Sequence, residues 1–90
     1  MPSPTLHVRI ISPQQLILET DADSVSSKNP QGSFDILPQH ANFLTVVENY
    51  PIVVRAKGQK DQTFKFPLAI ISAGNNKVNI YTYLLPEEGK

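Results

Sequence analysis

The stretch from Ala69 to Thr82, AIISAGNNKVNIYT, decides the fold of this chain. Its centre, Gly74-Asn75-Asn76, is typical of a turn, because glycine and asparagine tolerate the positive φ that tight turns require. After the turn, Val78 and Ile80 alternate with polar or aromatic residues, so they share one face of a strand. Before the turn, the apolar residues 68–71 predict a second, buried strand. The segment therefore predicts strand, turn and strand.

Period-two alternation at residues 6–10 predicts a further strand. Short stretches rich in apolar, β-branched and aromatic residues predict others at 16–18, 33–37, 43–47, 52–55 and 63–66. The polar, alternating segment from Glu19 to Ser27 predicts one edge or solvent-facing strand, since charges there discourage unwanted pairing. No amphipathic helix lies between the strands, so the pattern favours an all-β sandwich or barrel over a parallel α/β sheet.

The composition bounds the class of protein. The chain has 90 residues, with 8 lysines and arginines against 8 aspartates and glutamates, so its formal net charge is zero. That balance argues against a nucleic-acid binder and against a polybasic membrane binder. The absence of cysteine excludes disulfides and thiolate metal sites. Residues 1–84 are predicted to form one domain and residues 85–90 a flexible tail.

The beginning and the hydropathy of the chain suggest where it works. Residues 1–4 lack the charged and apolar regions of a signal peptide. No run of apolar residues is long enough to span a bilayer. A small cytosolic domain is therefore expected.

Few residues in the sequence carry chemistry. The histidines, His7 and His40, show neither HxH nor HExxH spacing, so a metal site is not predicted. Asp21 and Asp23 are expected on one face of an extended strand, where a solvated face is commoner than an acid–base pair or a calcium site. No serine lies in a GxSxG motif and no glycines form a phosphate-binding loop. The sequence predicts no catalytic residue and no cofactor, and it favours an interaction domain.

The segment from Gly32 to Thr45, GSFDILPQHANFLT, interrupts two apolar stretches with a polar tip. One interpretation is a surface connection with its apolar flanks packed below, and the residues alone favour it. The other is a rigid recognition loop. In that case Pro38 fixes φ and lowers the entropy lost on binding, while Gln39 and His40 present hydrogen-bonding groups.

The same segment resembles a known family. LPQHANFLT, residues 37–45, resembles the LPGHAPLLT-type signature in the N-terminal domain of the epsilon subunit of F-type ATP synthases. LHVRIISPQQLILE, residues 6–19, is similar to the opening strand, serine-containing turn and second strand of that family. Residues 69–82 are similar to its closing hairpin. The resemblance spans about residues 5 to 83 in order and spacing.

Some positions depart from the family pattern. Gln39 stands where the family usually has glycine, Asn42 where it has proline, and Asp35 where a small residue is common. Family members usually continue into a C-terminal helical hairpin, which the sequence does not include. The departures at residues 35, 39 and 42 suggest a divergent or alternate-type member. For the hairpin two explanations stand side by side: either it has been cut from this chain, or this member lacks it.

The resemblance implies both a fold and a function. The fold is a flattened β-sandwich of two mostly antiparallel sheets. The function is that of a non-catalytic central-stalk subunit, which binds the gamma subunit and the polar loops of the c-ring and couples ion translocation to ATP synthesis or hydrolysis. Such a subunit is peripheral, on the cytoplasmic side of the bacterial inner membrane. Carried over by position, Ser33, Pro38, Gln39 and His40 match the region that meets the ring loops, and Ser12 matches a region near gamma.

A second hypothesis comes from another class of protein. A strand-rich, neutral chain also suits a small β-sandwich that binds a carbohydrate or metabolite, with Tyr50, Tyr81 and Tyr83 stacking on the ligand. A deep apolar pocket with convergent polar groups would favour this alternative. A flat surface with an exposed apolar patch would favour the stalk subunit.

Overall fold

The computed structural model describes residues 5–39 and 41–82, and the described residues contain strands and no helix. The elements, in chain order, are β1 (Leu6–Ile11), β2 (Leu16–Ala22), β3 (Ser24–Asn29), β4 (Gly32–Ile36), β5 (Phe43–Val47), β6 (Tyr50–Arg55), β7 (Gln62–Phe66), β8 (Ala69–Gly74) and β9 (Lys77–Thr82). The predicted tail at residues 85–90 lies outside the described residues, so the proposed domain boundary stays a prediction.

The strands form two sheets. The larger sheet has five strands in the order β2-β1-β9-β8-β5, and the smaller sheet has four in the order β4-β3-β6-β7. Every neighbouring pair is antiparallel except β1 and β9, which are parallel. The predicted all-β, mostly antiparallel sandwich is therefore confirmed.

The turn between β8 and β9 is the one predicted from sequence. Asn75 and Asn76 have φ of 53° and 60°, the positive values that a type I′ hairpin turn needs at both central positions. Gly74 pairs directly with Lys77 across the turn. The twist of this turn matches that of the flanking strands, so it fixes the register of the pair.

The predicted single strand from Glu19 to Ser27 is wrong, because the chain changes sheets at Asp23. Ala22 and Val25 are both buried, although residues three apart on one strand would face opposite sides. A bend at Asp23 reconciles them, and its backbone N–H donates to the Arg55 carbonyl at 2.7 Å. The segment up to Ala22 is an edge strand of the larger sheet, but β3 is interior to the smaller one. Asp21 and Asp23 consequently do not share one strand face.

The prediction that residues 68–71 are uniformly buried is also wrong. Ala69 and Ile71 are buried, whereas Leu68 and Ile70 are 36% and 38% exposed. The strand alternates like the others, with one face on the core. Ile70 and Leu68 therefore contribute apolar surface to the outside of the molecule.

The core lies between the two sheets. Its buried apolar side chains are Leu6, Val8, Ile10, Ala22, Val25, Ile36, Val47, Ile52, Val54, Phe66, Ala69, Ile71, Ala73, Val78 and Ile80. Along one side, Phe34 of β4 packs on Phe43 of β5 with 5.2 Å between the ring centroids. Nearby, the Asn29 side-chain amide donates to Thr45 Oγ1 at 2.9 Å. These contacts join the sheets, so they should move as one body.

Candidate functional site

The outer face of the larger sheet carries a continuous line of apolar side chains, one from each strand. Directly opposite positions connect Leu16 to Ile11, Ile11 to Tyr81, Tyr81 to Ile70 and Ile70 to Val46. We call these five residues, Leu16, Ile11, Tyr81, Ile70 and Val46, the apolar row. At about 4.8 Å between strands, the row crosses roughly 19 Å of sheet.

The apolar row is accessible. Leu16, Val46 and Tyr81 are 47%, 44% and 44% exposed. Beside the row, Pro13 and Leu68 help to line a shallow depression of about 300 Å³. An apolar strip of this width with no charged member is the kind of surface that a protein partner covers.

The serine and threonine hydroxyls that line that depression are already bonded. The Ser12 hydroxyl accepts the Gln15 N–H at 3.1 Å and donates to the Gln15 carbonyl at 3.0 Å. The Thr82 hydroxyl donates to the Leu68 carbonyl at 3.0 Å. Polar groups held in this way do not converge on a small ligand, so the depression suits an apolar contact.

Ser12, the predicted gamma contact, lies in the turn between β1 and β2 at this end of the sheet. Its side chain is 5% exposed and closes the turn through the bonds to Gln15. The geometry therefore gives Ser12 a role in shaping the turn beside the apolar row. A direct contact with a partner stays a prediction.

The opposite end of the same face is charged. His7 pairs across the sheet with Asp21 on one side and with Lys77 on the other. Its Nε2 lies 2.6 Å from Glu19 Oε2, and its Nδ1 lies 3.1 Å from Asp21 Oδ1. The hydrogen bond with Asp21, followed by that with Glu19, raises the pKa of His7 above its ordinary value of 6.5. The His7 side chain thus links the edge strand β2 to β1, and its hydrogen bonds to the two carboxylates favour the protonated imidazole.

The segment after β4 reaches this charged end. Gln39 has a φ of 67°, so it keeps the left-handed conformation for which the family's usual glycine is suited. Its N–H donates to Asn76 Oδ1 at 2.6 Å, which ties the segment to the β8–β9 turn. On the far side of the loop, a Cβ at Gly74 would overlap the Asn42 side-chain oxygen. Absence of a side chain at Gly74 therefore lets Asn42 lie against the hairpin.

The predicted ring-loop residues are only partly brought together. Pro38 and Gln39 form the turn beside Asn76, and His40 lies outside the described residues. Ser33 is exposed on β4, directly opposite Lys28. It lies five residues before Pro38, or about 16 Å away along an extended chain. The grouping of all four residues in one contact stays a prediction.

The outer face of the smaller sheet is polar and internally bonded. Arg55 donates to Ser26 Oγ at 2.9 Å and to Asp61 Oδ2 at 3.3 Å. Ser26 in turn donates to Asp35. The hydrogen bonds of this network are exposed and join its side chains to one another, so the network reads as surface structure.

The tyrosine hypothesis gains no support from the fold. Tyr50 lies in the smaller sheet with the Lys28 ammonium 5.6 Å from its ring centroid. Tyr81 lies in the larger sheet, and Tyr83 falls outside the described residues. Two rings in different sheets do not form one stacking platform. Across residues 5–39 and 41–82, no cluster of three or more metal-ligating side chains occurs.

Sequence reasoning missed the apolar row. Its members come from five strands that are spread from Ile11 to Tyr81 along the chain. Alternation within each strand identifies which residues share a face, but the row exists only once the strand order and the register are known. The only local signal was the pair Ile70 and Ile71, because two adjacent apolar residues of one strand place one of their side chains on the outer face.

The fold and the site together define a β-sandwich interaction domain. The outer face of its larger sheet has an apolar end and a charged end. The chain matches the ATP synthase delta/epsilon chain beta-sandwich domain over residues 5–83. It belongs to that family. The resemblance inferred from residues 6–19, 37–45 and 69–82 is thereby confirmed.

Curated relatives of the chain are epsilon chains of bacterial ATP synthases. It is 32% identical over 59 residues to the ATP synthase epsilon chain of Maricaulis maris, covering 66% of this chain and 44% of the relative. It is 40% identical over 60 residues to ATP synthase epsilon chain 2 of Paraburkholderia xenovorans, covering 66% and 42%. The match with the Moorella thermoacetica epsilon chain is 26% identical and covers 84% and 57%. The chain thus spans about half the length of these relatives.

Solved structures support the same fold. A chain in the cryo-EM structure of the Euglena gracilis mitochondrial ATP synthase, comprising OSCP, F1 and c-ring, superposes with a TM-score of 0.83 at 14% identity. That match covers 93% of this chain and 54% of the other. A chain in the Tetrahymena thermophila mitochondrial ATP synthase central stalk and c-ring gives a TM-score of 0.71 at 18% identity, covering 87% and 63%.

The comparisons also bear on catalysis and on the membrane. The relatives are named as the epsilon chain, a non-catalytic subunit, which confirms the prediction that this chain is not an enzyme. Over the described ranges, the structure contains no helix of the length and apolarity needed to cross a bilayer.

Proposed function

We propose that this chain acts in the central stalk of a rotary ATP synthase and binds the gamma subunit through the apolar row. The observation that carries the proposal is the row itself, an apolar strip across all five strands of one face. The family assignment supplies the complex in which such a strip would be covered.

The row alone supplies a modest binding energy. Fully burying a large apolar side chain contributes about 1.5–3 kcal/mol. Members of the row such as Ile70 and Tyr81 are already more than half buried. Each can therefore gain only about 1 kcal/mol on binding. The five members together therefore supply about 5 kcal/mol. Association costs at least ~4 kcal/mol, so a stable complex with the gamma subunit needs contacts beyond the row.

A second contact is expected, with the polar loops of the c-ring. The charged end of the same sheet suits this contact. Pro38 and Gln39 are fixed there by the bond to Asn76. On β9, Lys77 at this end is four residues from Tyr81 in the row, or about 13 Å along the strand. One rigid sandwich would thus bridge gamma and the ring, with Ser33 and His40 extending the ring contact as the resemblance implies.

This assignment places the protein in a peripheral position on the cytoplasmic side of the bacterial inner membrane. It couples ion translocation to ATP synthesis or hydrolysis, and carries no chemistry of its own. The support is the bacterial origin of the relatives that match the chain and the lack of a predicted cofactor or catalytic residue.

Co-expression with the cognate gamma subunit tests the apolar contact. We expect the two chains to share one peak in size-exclusion chromatography. Ile70→Asp should abolish the shared peak, because it puts a charge in the middle of the row. The matched control is Thr63→Asp, on the exposed face of β7 in the smaller sheet, which should leave the peak intact. Absence of a shared peak for the unmodified chain, or an equal effect of both substitutions, would contradict the assignment.

Reconstituted vesicles test the ring contact. In the assembled ATP synthase, Gln39→Ala combined with His40→Ala should lower ATP-driven ion pumping while ATP hydrolysis continues. The control is Lys65→Ala, an exposed position of β7. If pumping by the double variant equals that of the control, Gln39 and His40 do not belong to the contact.

A further inference from the structure

Within residues 5–39 and 41–82 the sandwich has four edge strands, and one of them carries no protecting feature. The edges are β2 and β5 in the larger sheet and β4 and β7 in the smaller one. Exposed edges are commonly protected by charges or bulges. β2 carries Glu19 and Asp21 and has a bulge next to it, β4 carries Asp35, and β7 carries Lys65. β5, with the sequence FLTVV, has no charge, no proline and no bulge.

Residues 44–47 of β5 have a backbone partner on one side only. That partner is β8, and within the described part of the chain the backbone of these residues makes no other hydrogen bond. In an antiparallel ladder, alternate residues direct their N–H and C=O groups away from the partner strand. This part of β5 therefore presents unpaired donors and acceptors with the spacing of a strand.

The strand is fixed in place before any partner arrives. Thr45 accepts the bond from Asn29 across the sandwich, and Val47 is buried in the core. A preordered edge costs less to bind than one that must form on contact.

The apolar row runs directly onto this edge. Val46, the last member of the row, lies on β5. Its neighbour on the same face, Leu44, is 73% exposed, the highest value among the large apolar side chains of the described residues. A partner that covers Ile70 and Val46 would consequently reach the unpaired backbone of β5.

We propose that β5 accepts an added strand, an extended segment of the partner that covers the apolar row. The segment forms main-chain hydrogen bonds to β5 and places alternate apolar side chains over Leu44 and Val46. The inference rests on the proposed function, which makes this partner the gamma subunit. The added strand also supplies the contacts beyond the row that binding of gamma requires.

Amide hydrogen exchange, followed residue by residue by NMR, tests the added strand. In the chain alone, alternate amides between Leu44 and Val47 should exchange fast. In the complex with the cognate gamma subunit, those amides should slow at least tenfold, because strand pairing protects them. The amides of β7, an edge on the other sheet, should exchange at the same rate in both samples.

The outcomes separate this inference from the proposed function. If gamma does not bind, both fail. If gamma binds but the β5 amides exchange as fast as in the chain alone, only the added strand is overturned. Protection that grows with concentration in the chain alone would indicate pairing with a second copy and would also overturn it.

A substitution gives an independent readout. Leu44→Asp places a charge on the exposed face of β5, outside the row, and should weaken binding of gamma at least tenfold. Thr63→Asp on β7 should change the affinity less than twofold. Leu44 is so exposed that the fold should tolerate the change, which the thermal midpoint will verify. Equal affinity for Leu44→Asp and the unmodified chain would refute the proposal.

Discussion

The adjacent residues Ile70 and Ile71 should respond oppositely to truncation. Ile71 is 0% exposed and belongs to the core, whereas Ile70 is 38% exposed on the outer face. Replacing each by alanine removes the same atoms from two sides of one strand. We therefore expect Ile71→Ala to impair folding and Ile70→Ala to impair binding of gamma.

The magnitudes follow from burial. The truncation removes apolar groups worth about 0.8 kcal/mol each when buried, and at Ile71 the remaining cavity brings the cost to about 2–5 kcal/mol. At Ile70 solvent fills the space, so the cost should be about 1 kcal/mol. Since 1 kcal/mol lowers the thermal midpoint of a small domain by about 4–8 °C, Ile71→Ala should lower it by at least ~8 °C.

The measurement is thermal unfolding by circular dichroism, with urea unfolding for the free energies. A pull-down with the gamma subunit then reports binding for each variant that folds. If Ile70→Ala lowered the free energy of unfolding as much as Ile71→Ala, the register of β8 would be wrong by one residue, since a slip of one exchanges the two faces.

Three further predictions concern the turns and the charged end. The raised pKa of His7 means that its bonds stabilise the fold fully below about pH 6.5 and that this stabilisation is lost as the pH rises through the folded-state pKa. Thermal midpoints measured from pH 5 to 9 should therefore fall less steeply for His7→Gln than for the unmodified chain. Asn76→Ala should lower the free energy of unfolding, measured in urea, by about 1–2 kcal/mol, because Asn76 has a positive φ. Asn76→Gly should lower it less, since glycine adopts this φ without strain, and the loss that remains measures the bond to Gln39. Ser12→Ala should cost about 1 kcal/mol by the same assay, and an unchanged free energy would show that the bonds to Gln15 do not hold the turn.

Local chemistry determined what the sequence could predict about the fold. The Asn75-Asn76 turn was predicted because few residues adopt its φ values. The first strand was predicted because residues 6–10 alternate with a period of two, and residues 43–47 because they form a short apolar stretch rich in β-branched residues. The change of sheet at Asp23 was missed, since a polar segment with few apolar side chains does not show which face is buried. Only the burial of both Ala22 and Val25 requires the bend.

The candidate site was less accessible to sequence reasoning. Pro38 and Gln39 attracted attention because a rigid polar tip between apolar stretches is unusual, and the resemblance added Ser33 and His40. The apolar row has no counterpart in any local window. Its members meet through long-range pairing such as Ile11 with Tyr81, which depends on strand order, and no period within one strand encodes that order.

The parallel pairing of β1 with β9 also bears on how the protein is made. His7 lies opposite Lys77, so β1 receives its second neighbour only after the intervening residues 12–76 have been synthesised. Until then β1 has only β2 beside it, and the incomplete sheet exposes Val8 and Ile10 to solvent. Folding is therefore expected to be slow for a domain of this size, because contacts between distant segments must form before the sheet is complete.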